Sequence, residues 1–242
     1  MKNIIMVLAV LLLVGCTSTV IDVPVSNCLA GSGNVTDKNI GFNEFKSIEL
    51  SFPANLYLTQ GNRQRIRVEM EDNILEDMEI DVFNDVLIIK HKDYTCYANT
   101  EPINIYVTME QIQELSVVGS GSIVGETKIV ANELDVNIEG SGNIDLDVDN
   151  NKINVEVEGS GNIDLKGEST EIHTAIIGSG KIDADKLVSE TAFVEIVGSG
   201  IAEVNGQHLD ITIDGSGLVR YKGEPDTLTH SIEGSGEITK IN

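Results

Sequence analysis

From residue 115 to the end, apolar and polar residues alternate, and the alternation restarts at a near-constant interval. Each restart is marked by a Gly-Ser-Gly triplet, beginning at Gly119, Gly140, Gly159, Gly178, Gly198, Gly215 and Gly234, at steps of 21, 19, 19, 20, 17 and 19 residues. Two residues before the triplets stand Val117, Ile138, Val157, Ile176, Ile196, Ile213 and Ile232. Four residues after each first Gly stand Ile123, Ile144, Ile163, Ile182, Ala202, Val219 and Ile238. The positions between are mostly polar, as in the series Asp145, Asp164, Asp183 and Glu203. Period-two alternation rich in Val and Ile predicts strands with one buried and one wet face. Both glycines share the inward parity and the serine the outward one. The triplets therefore predict bends where an inward Cβ has no room and positive φ is tolerated.

A fixed period of this size marks a repeat architecture. The expected fold is all-β: a parallel β-helix in which each repeat forms one coil, with strands stacking about 4.8 Å apart. A meander of hairpins with Gly-Ser-Gly at the tips also fits. The coil is preferred because each repeat turns through variable polar segments, such as Asp149-Asn150-Asn151 and Gly167-Glu168-Ser169. Length changes there disturb the register of a meander but not that of a coil. One coil cannot bury its apolar face alone, so stacking supplies the core.

Residues 31–114 carry a single triplet, Gly31-Ser32-Gly33, yet strand-like segments recur at 45–52, 55–59, 65–70, 78–82, 86–91 and 103–108. Asn84-Asp85 reads as a turn, and residues 74–78 as one helical turn. This region is a less regular β part, either a capping domain or irregular early coils, and the repeat proper runs over 115–242. Residues 1–15 read as a signal peptide. Lys2 precedes the apolar run 4–14, which is too short to span a membrane. Leu13-Val14-Gly15-Cys16 resembles the lipobox of bacterial lipoproteins, which implies cleavage before Cys16 and lipidation of its sulfur; the alternative is an ordinary signal peptide with a chance cysteine. Two or more acyl chains give stable anchoring. Residues 16–30, polar and aperiodic, read as a tether. Thr17 after the lipidated residue resembles a sorting signal to the outer membrane, on the periplasmic side rather than the surface.

The net charge of −23 repels phosphate backbones and excludes nucleic acid as a partner. Its plain role is solubility and resistance to edge-to-edge stacking. In a coil, Asp145, Asp164, Asp183 and Glu203 stand above one another on the outer face, where a divalent cation would relieve their repulsion. They are metal candidates only in that sense, because the chain has no Asp-x-Asp-x-Asp-Gly loop and no Gly-Gly-x-Gly-x-Asp nonapeptide. No cofactor is expected. Cys28 and Cys96 both sit in loop-like contexts and form either a disulfide or two free thiols.

Catalytic patterns are missing. His91, His173, His208 and His230 do not cluster, and no Gly-x-Ser-x-Gly elbow occurs. A serine repeated in seven triplets, with no base tracking it, reads as a solvated turn hydroxyl. Polysaccharide-cleaving β-helices need paired acids or acids with a base, and here Arg63, Arg65 and Arg67 decorate one early strand while Arg220 stands alone. One surface is unusual. In two adjacent repeats the outward parity turns apolar, at Ala175 and Ile177, then Phe193 and Val197, with His173 beside Phe193. The preceding repeat has Asn154, Glu156 and Glu158 at those places. Either the outward apolar residues form a partner patch, or the parity slips by one at a bulge.

Several segments occur in the order of one known family. They include Gly31-Ser32-Gly33-Asn34-Val35, Phe45-Lys46-Ser47-Ile48, Ala54-Asn55-Leu56-Tyr57-Leu58-Thr59-Gln60-Gly61, Asp85-Val86-Leu87-Ile88-Ile89 and Gly215-Ser216-Gly217-Leu218-Val219-Arg220-Tyr221-Lys222-Gly223-Glu224-Pro225. With the recurrent Gly-Ser-Gly-x-Ile-x-Leu units, the chain over about residues 31–239 resembles the auto-transporter adhesin head, or GIN, domain, a domain of unknown function. The resemblance implies a right-handed parallel β-helix on a cell-envelope lipoprotein and transfers no catalytic residue. The expected function is non-enzymatic: an adhesin-like or scaffolding solenoid that binds an envelope protein or a glycan, its oligomeric state open. The alternatives are a carbohydrate-active, pectinase-like β-helix and a structural calcium-binding solenoid.

Overall fold

A computed structural model describes residues 28–93 and 96–241. The segment read as a signal peptide, the expected lipidation site Cys16 and the expected tether up to residue 27 lie outside the described residues.

The chain opens with Leu29–Ala30 (β1), Val35–Ile40 (β2), Ser47–Ser51 (β3), Asn55–Gln60 (β4) and Arg65–Glu71 (β5). A short helix, Asp72–Asp77 (α1), leads to Met78–Phe83 (β6), Val86–His91 (β7), Tyr97–Ala98 (β8) and Asn104–Met109 (β9). The repeats begin with Glu114–Gly119 (β10) and Ser122–Gly125 (β11). They continue through the long strands Ile129–Gly140 (β12), Asn143–Gly159 (β13), Asn162–Gly178 (β14), Lys181–Gly198 (β15) and Ile201–Gly215 (β16). Leu218–Lys222 (β17), Thr227–Gly234 (β18) and Glu237–Ile241 (β19) close the series.

These strands stack as the parallel coils of a β-solenoid of about seven turns, and the hairpin alternative falls away. The coil β13 shows how sequence sets the shape. Ile144, Leu146, Val148 and Asn150 point inward; Asn151 and Lys152 then both face outward, and Ile153, Val155 and Val157 point inward again. Two successive outward residues make the corner and shift the inward parity by one. Each coil thus has two long sides, one following the triplet and one preceding the next. We call the stacked sides face A and face B. Face A runs β9, β4, β11, the first halves of β13 to β16, β17 and β19. Face B runs β7, β3, β10, β12, the second halves of β13 to β16, and β18.

The second corner is the Gly-Ser-Gly triplet, and its two glycines are needed for different reasons. Gly178 has φ +122, and a Cβ there would lie 2.6 Å from the Gly159 carbonyl oxygen of the coil before. That same oxygen accepts the Ser179 N–H at 2.8 Å, so the ladder continues through the bend. Gly180 is buried, and its Cβ would meet Val157 Cγ1 at 2.5 Å. The inward reading therefore holds for the second glycine. The first is half-buried and serves the left-handed backbone.

Residues 31–114 supply both early coils and a cap, and their buried residues join the same core cluster as those of the repeats. The coil made by β7 and β9 lies outside the one made by β3 and β4, although it comes later in sequence. Antiparallel strands then close that end: β5 pairs with β9, β2 with β5, and β6 with β7. Helix α1 links β5 to β6, and the Asn84-Asp85 turn, both residues at positive φ, joins β6 to β7. Gly31-Ser32-Gly33 is not a coil corner. It packs on Glu71, whose buried carboxylate accepts the Gly33 N–H at 2.8 Å and the Thr100 hydroxyl at 2.8 Å. These bonds, the Thr100 hydroxyl first, hold the Glu71 pKa below the usual carboxylate range against the opposing effect of burial. Cys28 and Cys96 are joined in a disulfide, and β1, inside the segment read as a tether, pairs with β8 beside it. A bridge spanning 68 residues constrains the unfolded chain by about 4 kcal/mol.

Candidate functional site

Because register partners stand one strand spacing apart, the outward residues form vertical columns. On face A, one column reads Tyr106, Tyr57, Val124, Asp145, Asp164, Asp183, Glu203 and Arg220. The four acids proposed as metal candidates are therefore neighbours. Their repulsion is met by protein cations. Lys181 Nζ lies 2.8 Å from Asp183 and 3.4 Å from Glu203, Arg220 lies 2.7 Å from Glu203, and Lys222 lies 3.4 Å from Asp185. Asp164 has no such partner; partial burial, then Asp183 and Asp145, push its pKa up. Asp183 is more buried in its column, yet the Lys181 ammonium and the backbone hold its pKa down. Among the described residues no three His, Cys, Asp or Glu converge to hold a metal ion. At the capped end Arg67 bonds Asp37 at 2.9 Å and lies 3.8 Å above the Tyr106 ring, and Arg65 bonds Asn39.

Face B carries the apolar residues singled out in the sequence, and all of them face outward. No parity slip occurs there. His173 and Phe193 are register partners with rings stacked at 4.4 Å, and Ile177 and Val197 are register partners at 47% and 41% exposure. Exposed Phe83, Val130 and Val188 occur elsewhere, but isolated apolar residues are ordinary, whereas these two pairs are contiguous. Between them lies Ala175, whose register partners are Glu156 and Glu195. A depression of about 340 Å³ opens over Ala175, bounded by His173, Phe193, Glu156, Glu195 and Asp210. His173 Nε2 is 2.6 Å from Glu171 Oε1, and Lys152 approaches the same carboxylate at 3.5 Å. The imidazole lowers the Glu171 pKa. Sequence reasoning found the apolar members of this site and set Glu156 at the place of Ala175 in the preceding repeat, but did not pick out Glu195 and Asp210 around the depression. The register of face B was the missing signal: Glu156, Ala175 and Glu195 share one offset from their triplets, and an alanine between two glutamates is a gap.

The family model for the putative auto-transporter adhesin, head GIN domain, matches residues 44–225, and the chain belongs to that family. No match was found among curated proteins. Similar solved structures include a putative adhesin of Bacteroides fragilis NCTC 9343, at 24% identity and TM-score 0.83, covering 88% of this chain and 100% of that one. A putative adhesin of Parabacteroides merdae ATCC 43184 is 21% identical with TM-score 0.73, covering 88% and 99%. A putative lipid binding protein of Parabacteroides distasonis ATCC 8503 is 25% identical with TM-score 0.73, again covering 88% and 99%. Among the described residues no helix is long and apolar enough to cross a membrane.

Proposed function

We propose that this chain is a non-enzymatic envelope lipoprotein, anchored through Cys16 to the outer membrane on its periplasmic side, whose solenoid docks a partner on face B. The docking surface is His173, Ala175, Ile177, Phe193 and Val197, and its role is adhesion or scaffolding. One observation carries the reading: two adjacent outward pairs, His173 with Phe193 and Ile177 with Val197, stand on either side of Ala175 and its depression. Such a patch on a soluble surface marks a contact. The adhesin-like family and the adhesin descriptions of its structural relatives agree with binding rather than turnover. The partner class is an envelope protein or a glycan.

Two measurements test it. Cys16→Ser should move the protein from the membrane pellet to the soluble fraction; retention in the pellet would refute lipid anchoring. Pull-down from envelope extracts should compare the wild type with Ile177→Asp/Phe193→Asp. Loss of a specific partner is expected, and equal recovery of every bound species would dismiss the docking surface.

A further inference from the structure

The depression over Ala175 has walls of two kinds. Along the strand direction, the stacked His173–Phe193 rings bound it on one side, and Ile177 with Val197 stand two residues beyond Ala175 and Glu195 on the other, outside its lining. Across the strands, Glu156 and Glu195 flank the alanine, about 9.6 Å apart at two strand spacings. Asp210, register partner of Phe193, adds a third carboxylate at the margin. Among the described residues no hydrogen bond or ion pair engages Glu156, Glu195 or Asp210. His173 and Lys152 both contact Glu171 instead.

A surface with apolar walls and unpaired acids calls for a ligand that is apolar along its length and positive at its end. We propose that this depression receives a lysine or arginine side chain from a basic, apolar-flanked segment of a partner protein. The inference rests on the docking reading above and names its partner class. The methylene stem of such a side chain lies along apolar surface while its head remains polar. The stacked His173 and Phe193 rings give the stem apolar surface, and the two glutamates accept charge-assisted hydrogen bonds from its head. A neutral sugar donates hydroxyl hydrogen bonds to the carboxylates but brings no positive charge to offset them, and an acidic one would be repelled. Ile177 and Val197, next to the depression, suit apolar neighbours of the basic residue.

The test titrates the full chain, alanine and isoleucine methyls labelled for NMR, with three probes: acetyl-Leu-Lys-Lys-Leu-amide, its Gln-for-Lys counterpart, and a neutral N-acetylglucosamine trimer. The lysine peptide should move the Ala175 methyl, and Glu156→Gln/Glu195→Gln should weaken that binding about tenfold or more. Ala175→Leu fills the gap without changing charge and should abolish the effect, read at the Ile177 methyl. No shift with the lysine peptide at millimolar concentration overturns the inference. So does equal binding of the glutamine peptide, binding by the sugar alone, or full affinity in the glutamine double variant. If Ile177→Asp/Phe193→Asp loses the peptide while the glutamine double variant keeps it, the docking reading survives and the lysine assignment falls.

Discussion

Face A and face B are wound from the same coils on the same inward ladder, yet they treat their acids differently. Inside, Ile163 and Ile182 on face A match Val157, Ile176 and Ile196 on face B as fully buried aliphatics. Outside, face A sets Lys181, Arg220 and Lys222 against Asp183, Glu203 and Asp185, and stacks Asn143 on Asn162 at 3.1 Å. Face B leaves Glu156, Glu195 and Asp210 without partners around an apolar centre. Like charges at strand spacing are unfavourable, and face A shows the usual remedy, a neighbouring cation, at Asp183, Asp185 and Glu203, though not at Asp145 and Asp164. The difference teaches that stacking depends on the inward residues alone. The outward columns are therefore free to differ, with ion pairs on one side and, under the proposal above, a docking site for a basic side chain on the other.

The largest effect is expected where the two faces join. Gly178→Ala puts a Cβ against the Gly159 carbonyl oxygen at a backbone φ of +122, and should cost about 3–5 kcal/mol by urea denaturation. Gly33→Ala, also at positive φ but with open space, should cost about 1–2 kcal/mol. Equal losses would mean that the corner, and with it the division into two faces, is looser than described.

A smaller effect separates the faces directly. Lys181→Met removes the cation between Asp183 and Glu203 and should destabilise by about 0.2–1 kcal/mol. Glu195→Gln on face B breaks no pair and should stay within about 0.5 kcal/mol of wild type, neutral or stabilising. A clear loss at Glu195 would reveal a protein partner for it and remove the contrast.

The smallest effect is the pH dependence that the acid column of face A contributes. Asp164 has a raised pKa, so the folded state binds its proton more tightly than the unfolded state does. Its contribution favours folding at low pH, and that advantage disappears as pH rises through the folded pKa. Asp164→Asn should therefore raise the melting temperature slightly at pH 7 and leave it unchanged below the usual carboxylate range. Asp183 runs the other way: its depressed pKa gives stability that is present at neutral pH and lost on acidification. A melting temperature of Asp164→Asn that is offset equally at both pH values would remove the charge column as the cause.

The regular coils were legible because their signal is local. A triplet every nineteen or so residues fixes each corner, and Ile or Val at fixed offsets fixes each side. The corner at Asn151 and Lys152 was not legible, since two polar residues in sequence do not announce a change of inward parity. The order of β7, β3 and β10 was also hidden. The strands β3 and β7 have similar alternation, and only long-range pairing places the later one outside the earlier one. On face B, the apolar residues stood out against their own parity, whereas Glu156 and Glu195 looked like ordinary wet-face acids. Their lack of a partner exists only in three dimensions.

The most direct test removes the same charge from each face and asks which matters for binding. Glu156→Gln/Glu195→Gln on face B and Asp145→Asn/Asp164→Asn on face A each delete two negative charges from a chain of net charge −23. The account predicts that only the first pair weakens the lysine peptide, about tenfold or more, while the second leaves affinity unchanged within about twofold. Equal weakening by both pairs would show that the peptide senses only overall charge, and would contradict a docking site on face B.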